Sequence, residues 1–100
     1  MSRHAQHVYT DRTSIGQIKS MIHDLPANGH VVLLLKDGSA CDGVVSTRPN
    51  LQIFRDPHER EGINAEVLLE RPDVPAWKRN VWLDEVLRVE HLDSAMASES

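Results

Sequence analysis

The pattern of apolar and polar positions changes period along the chain. Ile15, Ile18, Ile22 and Leu25 are spaced by three, four and three residues, which puts them on one helical face. Ser14 with Gln17 after it reads as a capping box opening that helix, with Thr10 and Thr13 as rival caps. Pro26 and Asn28-Gly29 stop it. Ahead of the helix, residues 1–9 show no periodicity, and a flexible N-terminus is expected over 1–12.

Behind the helix the signal turns to strands. Residues 31–35 are five consecutive apolar positions, the pattern of a strand covered on both faces. Asp37-Gly38 reads as a tight turn, since glycine takes the positive φ such a turn needs. Residues 40–47 form a second strand in which Gly43 suits a bulge or bend. Pro49 cannot donate to a ladder and ends it; Leu51, Ile53 and Phe54 make a third.

A charged loop is expected over 56–62. Ile63, Ala65, Val67 and Leu69 then alternate with Asn64, Glu66 and Glu70, the period of a half-buried strand. Residues 71–79 contain two prolines and read as a loop. Residues 81–83 and 86–92 are two last short strands around Asp84-Glu85, and the tail at 93–100 is expected to be disordered. The layout predicts a mainly β fold with an N-terminal α-helix: a small, strongly bent antiparallel SH3-like barrel of five or six strands. One helix-plus-barrel domain is expected over 13–92, with an insertion at about 56–79.

Composition narrows the setting. A chain of 100 residues, 40% hydrophobic and 26% charged, fits one soluble domain with a modest core. The net charge of −4 argues against non-specific attraction to nucleic acid or an anionic membrane. The single cysteine, Cys41, cannot form an internal disulfide, so nothing points to an oxidising compartment. No stretch approaches the length that spans a bilayer, and the first twelve residues lack the apolar centre of a signal peptide. A cytoplasmic location without membrane contact is expected.

With a helix, then VVLLLKDGSACDGVV, NLQIF and VWLDEVLRVEHL, the chain resembles the Sm-like fold of RNA-associated proteins, and in particular the bacterial variants of that motif. Lys36-Asp37-Gly38, Gly43 and Asn50-Leu51 fit the family's first motif, and residues 81–92 match the shape of the second. The resemblance implies single-stranded RNA held at two loops, by a base-reading pair in the first and a basic residue in the second. Here the first loop offers Arg48 and Asn50, with Pro49 where an acid is expected. The second is Asp84-Glu85, whose carboxylates repel phosphate. The resemblance also implies edge-to-edge assembly of the last two strands, and so a homo-oligomer, either a dimer or a ring.

Trp77, Lys78 and Arg79 set an aromatic side chain beside two cations and form an alternative RNA-binding patch; docking of Trp77 onto the β body accounts for it equally well. Arg48 and Asn50 read equally as turn residues beside a proline. The six histidines show no metal-ligand spacing, and Cys41 has no evident base beside it. No nucleophile, base and orienter set is legible, so no catalytic residue, metal or cofactor is expected. Two functions follow: a non-enzymatic Sm-like module binding single-stranded RNA through a modified pocket, or a protein-interaction or assembly module that has lost RNA binding.

Overall fold

The computed structural model describes residues 3–91; the tail expected at 93–100 lies outside the described residues. The elements run β1 (Arg3–His4), α1 (Arg12–Asp24), β2 (His30–Leu35), β3 (Ala40–Val45), β4 (Gln52–Arg55), β5 (Glu61–Asn64), β6 (Glu66–Glu70), β7 (Lys78–Trp82), a single 3-10 turn (Leu83–Glu85) and β8 (Val86–His91).

Helix α1 starts earlier than the capping box suggests. Asp11 is the N-cap, its carboxylate accepting from the Ser14 N–H at 2.9 Å. An aspartate three residues ahead supplies the acceptor, so Ser14 sits inside the first turn. Ile18, Ile22 and Leu25 are buried as their spacing predicts, while Ile15 is half-buried. Past the helix, Asn28 takes φ 62° and donates its N–H to the Val45 carbonyl at 2.9 Å, which leads the chain into β2.

The strands form two sheets. One has the order β7-β6-β3-β2-β8 and is antiparallel throughout; the other has the order β1-β4-β5, with β1 parallel to β4. Among the described residues there are eight strands rather than five or six, and no ladder closes either sheet into a barrel. The cause lies at Asn64-Ala65. The alternating run expected as one strand changes phase there, with Asn64 and Ala65 both buried. The Asn64 amide donates to the His7 carbonyl at 2.8 Å and its side-chain oxygen accepts from the Ala65 N–H at 2.8 Å, so the chain leaves one sheet and enters the other.

The stretch 56–79, expected as an insertion, holds β5, β6 and the start of β7. Its loops are 56–60, the turn of the β4–β5 hairpin, and 71–77, folded by bonds from the Val74 N–H to Arg71 O (2.9 Å) and from the Trp77 N–H to Val74 O (2.8 Å).

The start of the chain is not loose across residues 3–9. Arg3 and His4 pair with Phe54 and Arg55. Tyr9 and Ile63 exchange two backbone hydrogen bonds at 2.9 and 2.7 Å. The segment therefore straps across the β4–β5 hairpin. It passes so close to Gly62 that a Cβ there would lie 2.9 Å from both Tyr9 O and Val8 Cβ. Arg3 adds an ion pair with Glu66 and lies 5.5 Å over the Phe54 ring.

The core is shared by α1 and the five-stranded sheet. Val31, Leu33 and Leu35 of β2 are buried, but Val32 and Leu34 are only half-buried, so this strand is covered on one face rather than two. Phe54 is fully buried and meets Trp82 edge-on, with ring centres 5.0 Å apart. No helix among the described residues is long and apolar enough to cross a membrane.

Candidate functional site

The five candidate residues fall into two places. Arg48 and Asn50 are exposed in the connection between β3 and β4, and the Arg48 Nε donates to the Leu25 carbonyl at 3.1 Å. That bond ties the loop to the end of α1 and takes up one of the guanidinium donors.

Trp77 ends the 71–77 loop and packs half-buried against the core. A Cβ on Gly43 would lie 3.0 Å from Leu69 Cβ and 3.2 Å from Glu70 O of β6, and 3.4 Å from the Trp77 Cζ3, so the glycine mainly admits the neighbouring strand and the indole lies beside it. The Arg71 guanidinium covers the ring at 4.1 Å and its Nε donates to the Asp42 carbonyl at 3.2 Å. Lys78 and Arg79 are not loop residues, because β7 begins at Lys78. They stand opposite Glu70 and Leu69, with Lys78 Nζ 3.8 Å from the Glu70 carboxylate. No hydrogen bond or ring contact joins the Arg48–Asn50 pair to the Trp77–Arg79 set among the described residues.

Asp84-Glu85 forms the 3-10 turn between β7 and β8. Asp84 Oδ2 accepts the Tyr9 hydroxyl at 2.9 Å, and its Oδ1 is buried without a partner among the described residues. Burial, with the Asp84 carboxylate next, pushes the Tyr9 phenol from 10.0 up to about 12. This turn closes one end of a groove of about 680 Å³ between α1 and β8. Thr13, Gly16 and Ser20 line its helical wall, and Lys36, Val86 and Leu87 line the strand side.

Leu87 was not among the residues singled out by sequence, yet it is the most exposed large apolar side chain described, at 65%. The β2–β8 register explains it: Leu34 faces Arg88 and Leu35 faces Val86, so Leu87 is an extra residue bulged from the ladder. An apolar run conceals such a bulge, because it becomes visible only once the partner strand is paired. The other edge of β8 and the outer edge of β7 carry no partner strand among the described residues.

Elsewhere, His30 pairs with the Asp42 carboxylate on the outer face of the sheet. No group of three or more His, Cys, Asp or Glu side chains able to hold a metal occurs among the described residues. Cys41 is buried at 2% exposure.

This constellation, a five-stranded antiparallel sheet capped by one helix and linked at its last two strands by a 3-10 turn, has a defined relation to known proteins. Residues 2–92 match the family described as Domain of unknown function (DUF3247), and the chain belongs to that family. It is also similar to XC5848 from Xanthomonas campestris, whose crystal structure is described as adopting a novel variant of the Sm-like motif. The two are 32% identical with a TM-score of 0.83 over 92% of this chain and 99% of that one. The resemblance read from Gly38, Gly43 and the last two strands therefore holds for the Sm-like variants. No curated protein matches the chain.

Proposed function

We propose that the chain is a non-enzymatic, cytoplasmic protein-interaction module that assembles through the open edges of its five-stranded sheet. The observation that carries this reading is the pair of outer edges, β7 and β8, that have no partner strand among the described residues, with the exposed Leu87 beside the second. A row of unpaired backbone groups next to an exposed apolar side chain is a template for strand addition.

Several features support assembly over RNA binding. Arg48 gives its Nε to Leu25, Trp77 is covered by Arg71, and Lys78 lies near Glu70. The second loop presents carboxylates, and the net charge is −4. A base would have to displace Arg71 to reach the Trp77 ring face it covers.

Sedimentation velocity on the full chain tests the reading. A concentration-dependent oligomer is expected, and Leu87→Glu is expected to weaken it by roughly tenfold or more, since it places a charge on an edge that must desolvate. A monomer at every concentration overturns the reading. Short U-rich and A-rich RNAs at two salt concentrations form the second arm. Salt-dependent binding that weakens in Arg48→Ala or Lys78→Ala would replace the assembly reading with the RNA one.

A further inference from the structure

Of the two open edges, β8 is the one whose side chains complement a copy of themselves. Arg88 and Glu90 stand two residues apart on the same face of the sheet, opposite Leu34 and Val32. Their side chains are 65% and 49% exposed and lie 3.1 Å apart. We propose that the partner is a second copy of this chain, added antiparallel to β8 about a two-fold axis at Val89, so that Arg88 of each copy faces Glu90 of the other. The inference rests on the assembly reading and deepens it by naming the partner and the register.

Elementary geometry selects the register. About an axis normal to the sheet, each residue faces the one equally far on the other side of the axis. An axis at Arg88 sets that residue against its own copy, and an axis at Glu90 does the same for the acid. Like charges directly opposite destabilise a ladder. Only an axis at Val89 gives two opposite-charge pairs, and two-fold symmetry supplies both at once. The edge at β7 lacks this property. It carries Lys78 and Arg79 and no acid through Trp82, so copies of it offer each other no charge pair.

The joined strands would make one continuous sheet of both copies, β2-β8 of one running into β8-β2 of the other. Leu87, bulged beside this edge, would lose much of its exposure to the adjoining copy.

The test uses the full chain and five samples in sedimentation equilibrium: wild type, Arg88→Glu, Glu90→Arg, the double exchange, and an equimolar mixture of the two single variants. A dimer is expected for wild type. Each single variant sets two like-charged pairs across the axis and should raise the dimer Kd by roughly tenfold. The double exchange and the mixture should both return to dimer. Recovery in the mixture can arise only between copies, because each single variant carries like charges at 88 and 90 within its own chain. Circular dichroism confirms folding, and the double exchange restores the intrachain pair if a single variant is lost. Unchanged dimerisation of the single variants, no recovery on mixing, or a particle of more than two copies overturns the inference and leaves the assembly reading standing. A monomeric wild type overturns the assembly reading itself.

Discussion

Tyr9 donates its hydroxyl to Asp84 Oδ2 at 2.9 Å across 75 positions of sequence. The bond ties the N-terminal strap to the 3-10 turn that links β7 and β8, so the one tyrosine of the chain joins both sheets.

Titration of that tyrosine is the first consequence. Burial and the adjacent carboxylate favour the neutral phenol, so its folded pKa is raised from 10.0 to about 12. Its contribution to stability is complete below pH 10.0 and is lost as pH rises through about 12. Ultraviolet absorbance of tyrosinate should show a midpoint near 12, lowered in Asp84→Asn. A wild-type midpoint at 10.0 would remove the account.

Tyr9→Phe deletes the donor while keeping the ring. Asp84 Oδ1 already has no partner, so the variant leaves the whole carboxylate without a protein donor. The expected cost is about 1 kcal/mol, because the site is only part-buried. Urea denaturation should show a lower midpoint with an unchanged slope; an unchanged midpoint contradicts the role given to the bond.

Asp11 and Ser14 are distinguishable as caps. Hydrogen bonds from Ser14 hold the Asp11 carboxyl below its usual value of 3.8. The stabilisation is therefore present above that pH and fades as pH falls through the lowered folded value. Asp11→Ala should lower Tm by roughly 5 °C, and Ser14→Ala by less, since it removes only the weaker side-chain bond and the backbone N–H of residue 14 still donates to Asp11. Equal shifts in the two melts would return the cap to Ser14.

Two glycines should respond with opposite sign. Nothing lies within 4 Å of a Cβ built on Gly16, which sits in α1, so Gly16→Ala should stabilise by about 0.5–1 kcal/mol. Gly62→Ala drives a methyl into Val8 and the Tyr9 backbone and should destabilise by about 1–3 kcal/mol. Hydrogen exchange adds the spatial readout: the Tyr9 and Ile63 amides should lose protection only in the second variant.

Much of the local structure was legible without coordinates. The Ile18, Ile22 and Leu25 face packs as its spacing predicts, and Gly38 takes φ 93° in the expected turn, donating its N–H to Leu35 O at 3.0 Å. Docking of Trp77 against the core is the outcome the sequence offered beside RNA stacking. Such features answer to neighbours a few residues away or to the size of one side chain.

What the sequence by itself determined is therefore one helix ahead of a mainly β body, the buried face of α1, the turn at Gly38 and membership of the Sm-like variants. Only the tertiary structure decided that residues 3–9 form a strap, that the chain changes sheets at Asn64-Ala65, that Leu87 bulges outward and that β7 and β8 remain open edges. The physical reason is common to all four. Ladder pairing is made by backbone N–H and carbonyl groups that every residue but proline carries in full, so the sequence leaves little mark of which strand meets which, or of where pairing stops.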